Sequence, residues 1–277
     1  MAEMLQLPFM QRAILAGLIL GILLATMGIF VTLRKMAFFS DGIAHAALAG
    51  AAIGLLTRFS PLVSALVFSL ILAALVFWLE KKSSLSSDSI IGILFTSGMA
   101  LGVVLISLRR GYQPELIGYL FGNILAIRRQ DLALIAILAF LIMAFILGHK
   151  RKLTLVALDR EMAYMAGINP DLFQLLFYLM LSCALVLGIR ILGVVLVSAI
   201  LIIPVSTARL LSRSFKALAW WTVAIAEFTV MAGLLLAYFL DLPAGALIVL
   251  TGSTLFSLAF IASSLLRRAA QRPQCGK

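Results

Sequence analysis

Charge is scarce in this chain. Only 12% of its 277 residues are charged and only 11 are acidic, whereas a soluble domain carries about a quarter. That excludes a water-soluble enzyme, a soluble nucleic-acid reader and a disordered chain. Cysteine and histidine are nearly absent too. Cys183 and Cys275 have no metal-ligand spacing between them and make no disulfide framework. His45 and His149 are too far apart for the HExxH pattern of an intramembrane metalloprotease. No GxxxxGK[ST] loop occurs, so if ATP drives this protein another subunit hydrolyses it.

What the chain has is apolar sequence, 64% of residues, with a mean hydropathy of +1.17. The runs Ala13–Leu33, Phe59–Leu79, Ser89–Leu108 and Leu242–Leu266 hold 20 to 25 residues each without a charge. At ~1.5 Å per residue each crosses ~30 Å of hydrocarbon. Leu132–Gly148, Leu172–Ile189 and Ile191–Ala208 are shorter charge-free runs. Gly42–Thr57 and Ala217–Leu240 complete the set, each with an ionisable residue inside, His45 and Glu227. The pattern predicts an all-α polytopic membrane protein of about nine transmembrane helices. The first run is too long for a cleaved signal peptide.

The net charge of +11 is then a matter of membrane orientation, not of nucleic acid. With the loop around Lys150, Arg151, Lys152 and Arg160 in the cytoplasm, nine helices place 15 of the 22 Lys and Arg inside. That predicts the N-terminus outside and the C-terminus in the cytoplasm. Segment 114–127 is apolar but too short to span. It reads as a re-entrant or interfacial helix, which membranes tolerate only when it packs in protein or lines a cavity.

Ser40-Asp-Gly-Ile-Ala-His-Ala-Ala-Leu-Ala-Gly50 is the strongest local signal. Asp41 and His45 stand four apart, on one face of a helix. A carboxylate and an imidazole can share one divalent cation of the Zn, Mn or Fe type. The alternative is that Asp41 caps the helix and His45 bonds a neighbouring helix. Glu227 is the one carboxylate well inside a span, either a pathway residue or one paired for structure. Asp241 reads as a turn residue. Pro204 removes a backbone hydrogen bond within a span, a candidate kink or gate.

Residues 158–170 read as a short amphipathic helix, with Gly167 at its C-terminus and Asn169-Pro170 opening the next. Its exposed Met162 and Met165 suit either docking to a soluble partner or lying on lipid. Gly17, Gly21 and Ala25, and Ala46, Gly50 and Gly54, form small-residue faces for close helix packing.

Five ordered stretches resemble the zinc/manganese/iron permease family of ATP-binding-cassette importers. They are Arg34-Lys-Met-Ala-Phe-Phe-Ser-Asp-Gly-Ile-Ala-His45, Tyr119-Leu-Phe-Gly-Asn-Ile-Leu125, Asp159-x-Glu-x-Ala-x-x-x-Gly167, Gly193-Val-Val-Leu-Val-Ser-Ala-Ile-Leu-Ile-Ile-Pro204 and Gly233-Leu-Leu-Leu-Ala-Tyr-Phe-Leu-Asp-Leu-Pro-Ala-Gly245. The resemblance spans roughly residues 10–266 and is nearest to the bacterial zinc-uptake members, whose first motif also has an aromatic before the small residue preceding the Asp.

The resemblance implies a single transmembrane permease domain over 1–277 in a bacterial inner membrane, with a fold similar to vitamin B12-type importer permeases. It implies a homodimer around a central path, two ATPase subunits below and an extracytoplasmic metal-binding protein above. No cofactor is permanently bound; the divalent metal, zinc by this branch, is cargo. The family's pathway Asp and His fall on Asp41 and His45. Its ATPase-coupling helix falls on 159–167, with Asp159, Glu161, Ala163 and Gly167 as the matching positions. Another class of reading is an ion-coupled secondary transporter with Glu227 as proton carrier, whose inverted repeats the sequence does not show.

Overall fold

The structure is a computed structural model and describes residues 8–107 and 127–270. Ten helices follow in order: α1 (Pro8–Leu33), α2 (Phe39–Leu56), α3 (Pro61–Lys82), α4 (Ser87–Ser107), α5 (Arg129–Leu158), α6 (Arg160–Met165), α7 (Pro170–Leu192), α8 (Val194–Leu211), α9 (Phe215–Leu240) and α10 (Ala244–Ala270). Among the described residues nine are long and apolar enough to cross a membrane, α6 being the exception, and there is no strand. Most of segment 114–127 lies outside the described residues.

α1 and α7 are the most enclosed spans and α10 the least. α2, α3 and α4 pack as one group; α8, α9 and α10 pack as another, with α1 against α8 and α9. α7 touches both groups. Small residues permit the close approaches. A Cβ at Gly28 would strike the Leu201 carbonyl, and one at Gly50 would lie 2.7 Å from Phe68 Cβ. A Cβ at Gly98 would meet the Ala46 backbone at 3.5 Å, and one at Gly102 the Ala49 backbone at 3.5 Å, so α2 and α4 run parallel. On the outer faces, side chains such as Ile71 and Phe140 stand open, as lipid contact requires.

Ion pairs place the helix ends. Asp171, at the start of α7, meets Lys81 at the end of α3 (2.5 Å). Arg190, near the end of α7, meets Asp131 at the start of α5 (3.3 Å). Antiparallel α3 and α4 then put the end of α4 and the start of α5 on the same side of the bundle, as the nine-span reading requires.

α5 runs past the span read from sequence. Its charge-free run ends at Gly148, yet the helix continues to Leu158 through a departure from helical angles at His149 (φ −116°, ψ 15°). His149 Nδ1 lies 3.1 Å from the Phe145 carbonyl oxygen.

Candidate metal centre

α2 opens without a side-chain cap. Its N-cap is Phe38, and Asp41 lies inside the first turn. The capping alternative for Asp41 is therefore not what the fold uses. Between Phe39 and Gly50 every residue is buried except Asp41, His45 and Leu48, which are half-exposed. These three sit at i, i+4 and i+7, one stripe. α3, α4, α7 and α8 cover the rest of the helix, so the stripe bearing the carboxylate and the imidazole is the one the chain leaves open.

Each group has one fixed neighbour. Ser198 Oγ, on the first turns of α8, donates to Asp41 Oδ1 at 2.6 Å. The His45 ring stands T-shaped to Phe95 of α4, 4.7 Å between centroids and 88° between planes. No hydrogen bond from His45 to a neighbouring helix occurs among the described residues. Among the described residues Asp41 Oδ2 and the imidazole nitrogens have no hydrogen-bond partner. Among the described residues no group of three or more His, Cys, Asp and Glu side chains is placed to hold a metal. A cation held by this pair alone would be short of its usual four ligands.

Ser198 was not singled out from the sequence. A serine amid Val and Ala in a span ordinarily bonds its own helix, and only the crossing of α8 over α2 shows its target.

Glu227 stands apart from this site. It faces Gly21 of α1, where a Cβ would come within 2.6 Å of its Oε1. That buried oxygen has no hydrogen-bond partner among the described residues, so the structural pairing weighed for it is not seen there. Pro204 is buried within α8, whose backbone is helical throughout. Asp241 takes the left-handed conformation (φ +52°) and ends α9.

The cytoplasmic candidate, α6, is held at both ends by its own sequence. Asp159 caps it, accepting from the backbone N–H of Glu161 (2.9 Å) and of Met162 (3.0 Å). Gly167 adopts φ +73°. The Gly167 N–H donates to the Tyr164 carbonyl and the Ile168 N–H to the Ala163 carbonyl, both at 3.0 Å. That is a Schellman closure, which favours glycine there. Asn169 then caps α7, with Pro170 at its first position. Ala163 is fully buried, while Met162, Tyr164 and Met165 are exposed, Met165 by 86%. Glu161 is exposed on the same short helix.

Sequence comparisons agree over nearly the whole chain. The ABC 3 transport family matches residues 6–263. The high-affinity zinc uptake system membrane protein ZnuB of Haemophilus influenzae is 32% identical over 247 residues, 89% of this chain and 95% of that protein. The manganese transport system membrane protein MntC of Halalkalibacterium halodurans is 35% identical over 261 residues, 94% of this chain and 89% of that one. Among solved structures, PsaBC from Streptococcus pneumoniae in complex with Fab superposes with a TM-score of 0.82 at 29% identity, covering 94% of each chain.

Proposed function

The chain belongs to the ABC 3 transport family, and on that footing we propose that it is the membrane-spanning permease subunit of an ATP-driven importer of a divalent transition metal, with zinc as the cargo. The observation that carries the metal reading is the open stripe of α2: nine neighbours are buried, and the uncovered side chains include one carboxylate and one imidazole. An ionisable pair facing lipid would cost a few kcal/mol per charged group, ~2.5–3.5 on insertion scales. A wet, cation-bearing path avoids that cost. The stripe therefore faces a second permease across a central path.

Within the family, zinc is supported by the similarity to a zinc uptake protein and by the aromatic Phe39 before Ser40-Asp41. The run after His45 also lacks the Pro before Gly50 of the manganese-type pattern. Manganese is the competing reading, supported by the 35% identity to a manganese transport protein. Asp and His serve either ion. Two protein ligands per subunit hold a cation weakly enough to let it go.

The remaining parts follow the same reading. A separate ATPase pair docks on α6 through Met162, Tyr164 and Met165, since the chain carries no phosphate-binding loop. An extracytoplasmic binding protein delivers the metal at the opposite end. The chain lies in a bacterial inner membrane, N-terminus outside and C-terminus in the cytoplasm. Family membership supports this over an ion-coupled carrier centred on Glu227.

The test is metal uptake in cells lacking their own zinc importer, with the partner subunits supplied. The wild type restores zinc accumulation and Asp41→Ala does not. Accumulation of manganese but not zinc would overturn the cargo, and normal uptake by Asp41→Ala would overturn the site.

A further inference from the structure

The root of α6 carries a polar network, partly exposed at Arg160 and Asp171 and buried at Gln174 and Tyr178, to which the proposed function assigns no role. Arg160, the first residue of α6, donates from Nη1 to Gln174 Oε1 of α7 at 2.9 Å, and its Nη2 pairs with Asp171. Gln174 Nε2 in turn donates to Glu80 Oε2 of α3 at 2.8 Å and to the Tyr178 hydroxyl at 2.9 Å. Tyr178 donates to Glu80 Oε2 at 2.8 Å, and its hydroxyl lies 2.9 Å from Met36 Sδ. The Tyr178 ring packs on Phe39, 5.0 Å between centroids. Arg34 lies over the rings of Phe177 and Tyr178 at 5.7 and 5.8 Å. Burial lowers the Arg34 pKa, while the neighbouring Tyr178 and Glu80 work against that shift.

Gln174, Tyr178, Met36 and Phe39 are all 5% exposed or less. Asp171, Gln174 and Tyr178 stand at i, i+3 and i+7, one face of α7. Phe39 is the first residue of α2, two before Asp41. A continuous set of contacts thus runs from α6, through one face of α7, to the start of the helix that carries Asp41 and His45. Beside it lies a cavity of about 300 Å³ lined by Arg34, Glu80, Asp159, Arg160, Gln174 and Tyr178 among others. Arg34 Nη2 and Glu80 Oε1 are buried with no hydrogen-bond partner among the described residues. The network has unused donors and acceptors, and room to exchange partners.

We propose that Gln174 and Tyr178 are positioning residues that transmit displacement of α6 to the start of α2, so that movement at the ATPase-facing end resets the Asp41–His45 stripe. The proposal rests on α6 as the docking helix and α2 as the cargo helix. A buried amide bonded to three side chains moves with them or exchanges one bond for another; it cannot be left unpaired without loss. Displacing Arg160 therefore alters the bonds that Gln174 makes to Glu80 and Tyr178. Tyr178 hands the change to Met36 and Phe39.

The experiment measures metal taken up per ATP hydrolysed by the assembled importer in lipid vesicles, comparing the wild type with Tyr178→Phe and Gln174→Met. Tyr178→Phe removes one hydroxyl and keeps the ring on Phe39; Gln174→Met keeps length and helix propensity. The expected result is continued hydrolysis with the ratio down about 5-fold or more, the scale of a typical coupling. A wild-type ratio in whichever variants assemble overturns the proposal. So does an equal fall in hydrolysis and uptake, which marks a purely structural role. Wild-type vesicles that take up neither zinc nor manganese would instead overturn the proposed function itself.

Discussion

Among the described residues the Asp41 carboxylate receives one hydrogen bond, from Ser198, and the His45 ring stands T-shaped to Phe95. Gln174 is held at once by Arg160, Glu80 and Tyr178. Both regions are polar groups within an apolar bundle, yet one is sparsely tied and the other densely. Under the proposed function the difference follows from what each would have to do. A cargo site saturated with protein donors would either exclude the cation or keep it, so two ligands and one orienting hydroxyl suit binding that ends in release. A joint between a docking helix and a transmembrane helix has the opposite need. A slack contact there would absorb displacement before it reached α2, and Gln174, bonded to three side chains, moves with them or exchanges one bond for another, with Arg34 Nη2 and Glu80 Oε1 unpaired beside it among the described residues.

The sharpest way to break the comparison is to show that the end of the bundle where both regions lie, at the start of α2, does not face the cytoplasm. The loop at Phe59 and the loop at Leu85 flank α3 at its two ends, and both side chains are exposed, by 60% and 54%. In a background with Cys183 and Cys275 replaced by serine, a thiol reagent that cannot cross the membrane, added outside, labels Phe59→Cys and leaves Leu85→Cys unmarked. Labelling of Leu85→Cys alone would invert the orientation.

The next largest effect is at the docking end. A Cβ at Gly167 would meet nothing within 4 Å, so only its positive φ resists substitution. Gly167→Leu strains the end of α6 by on the order of 1 kcal/mol, too little to unfold the bundle. Uptake falls to background while the protein still inserts at wild-type levels, as membrane-fraction blots would show. Full uptake at normal expression would remove α6 from the coupling machinery.

A smaller effect is expected at the cargo end. Ser198→Ala removes the one donor that Asp41 Oδ1 has among the described residues. A hydrogen bond to a charged group contributes about 1.5–3 kcal/mol, so uptake at limiting metal drops roughly tenfold, and Ser198→Thr retains most of it. An unchanged initial rate in Ser198→Ala would mean that the carboxylate needs no orienting partner.

The two regions also differ in how far the sequence discloses them. The spans show themselves because charge is costly in hydrocarbon, so charge-free runs and helices nearly coincide. α5 departs from that rule: Lys150, Arg151 and Lys152 end the apolar run, but helical hydrogen bonding carries on past them to Leu158. Asp41 and His45 are legible because their spacing is local, a single helical turn. The ends of α6 are legible for the same reason, since caps are written in neighbouring residues. The network is not. Gln174 bonds a residue 94 positions away and Tyr178 one 98 away, and no periodicity within α3 or α7 announces either contact. Ser198 is hidden in the same way, 157 positions from Asp41.

The central claim is that the open stripe of α2 holds the transported ion, and zinc and manganese uptake by His45 variants tests it most directly. His45→Ala should abolish uptake of both metals with the protein still assembled. His45→Asp should keep part of it and shift preference toward manganese, because a second carboxylate favours the harder ion. Wild-type zinc uptake by His45→Ala would contradict the assignment of the stripe as the metal path, even with the family unchanged.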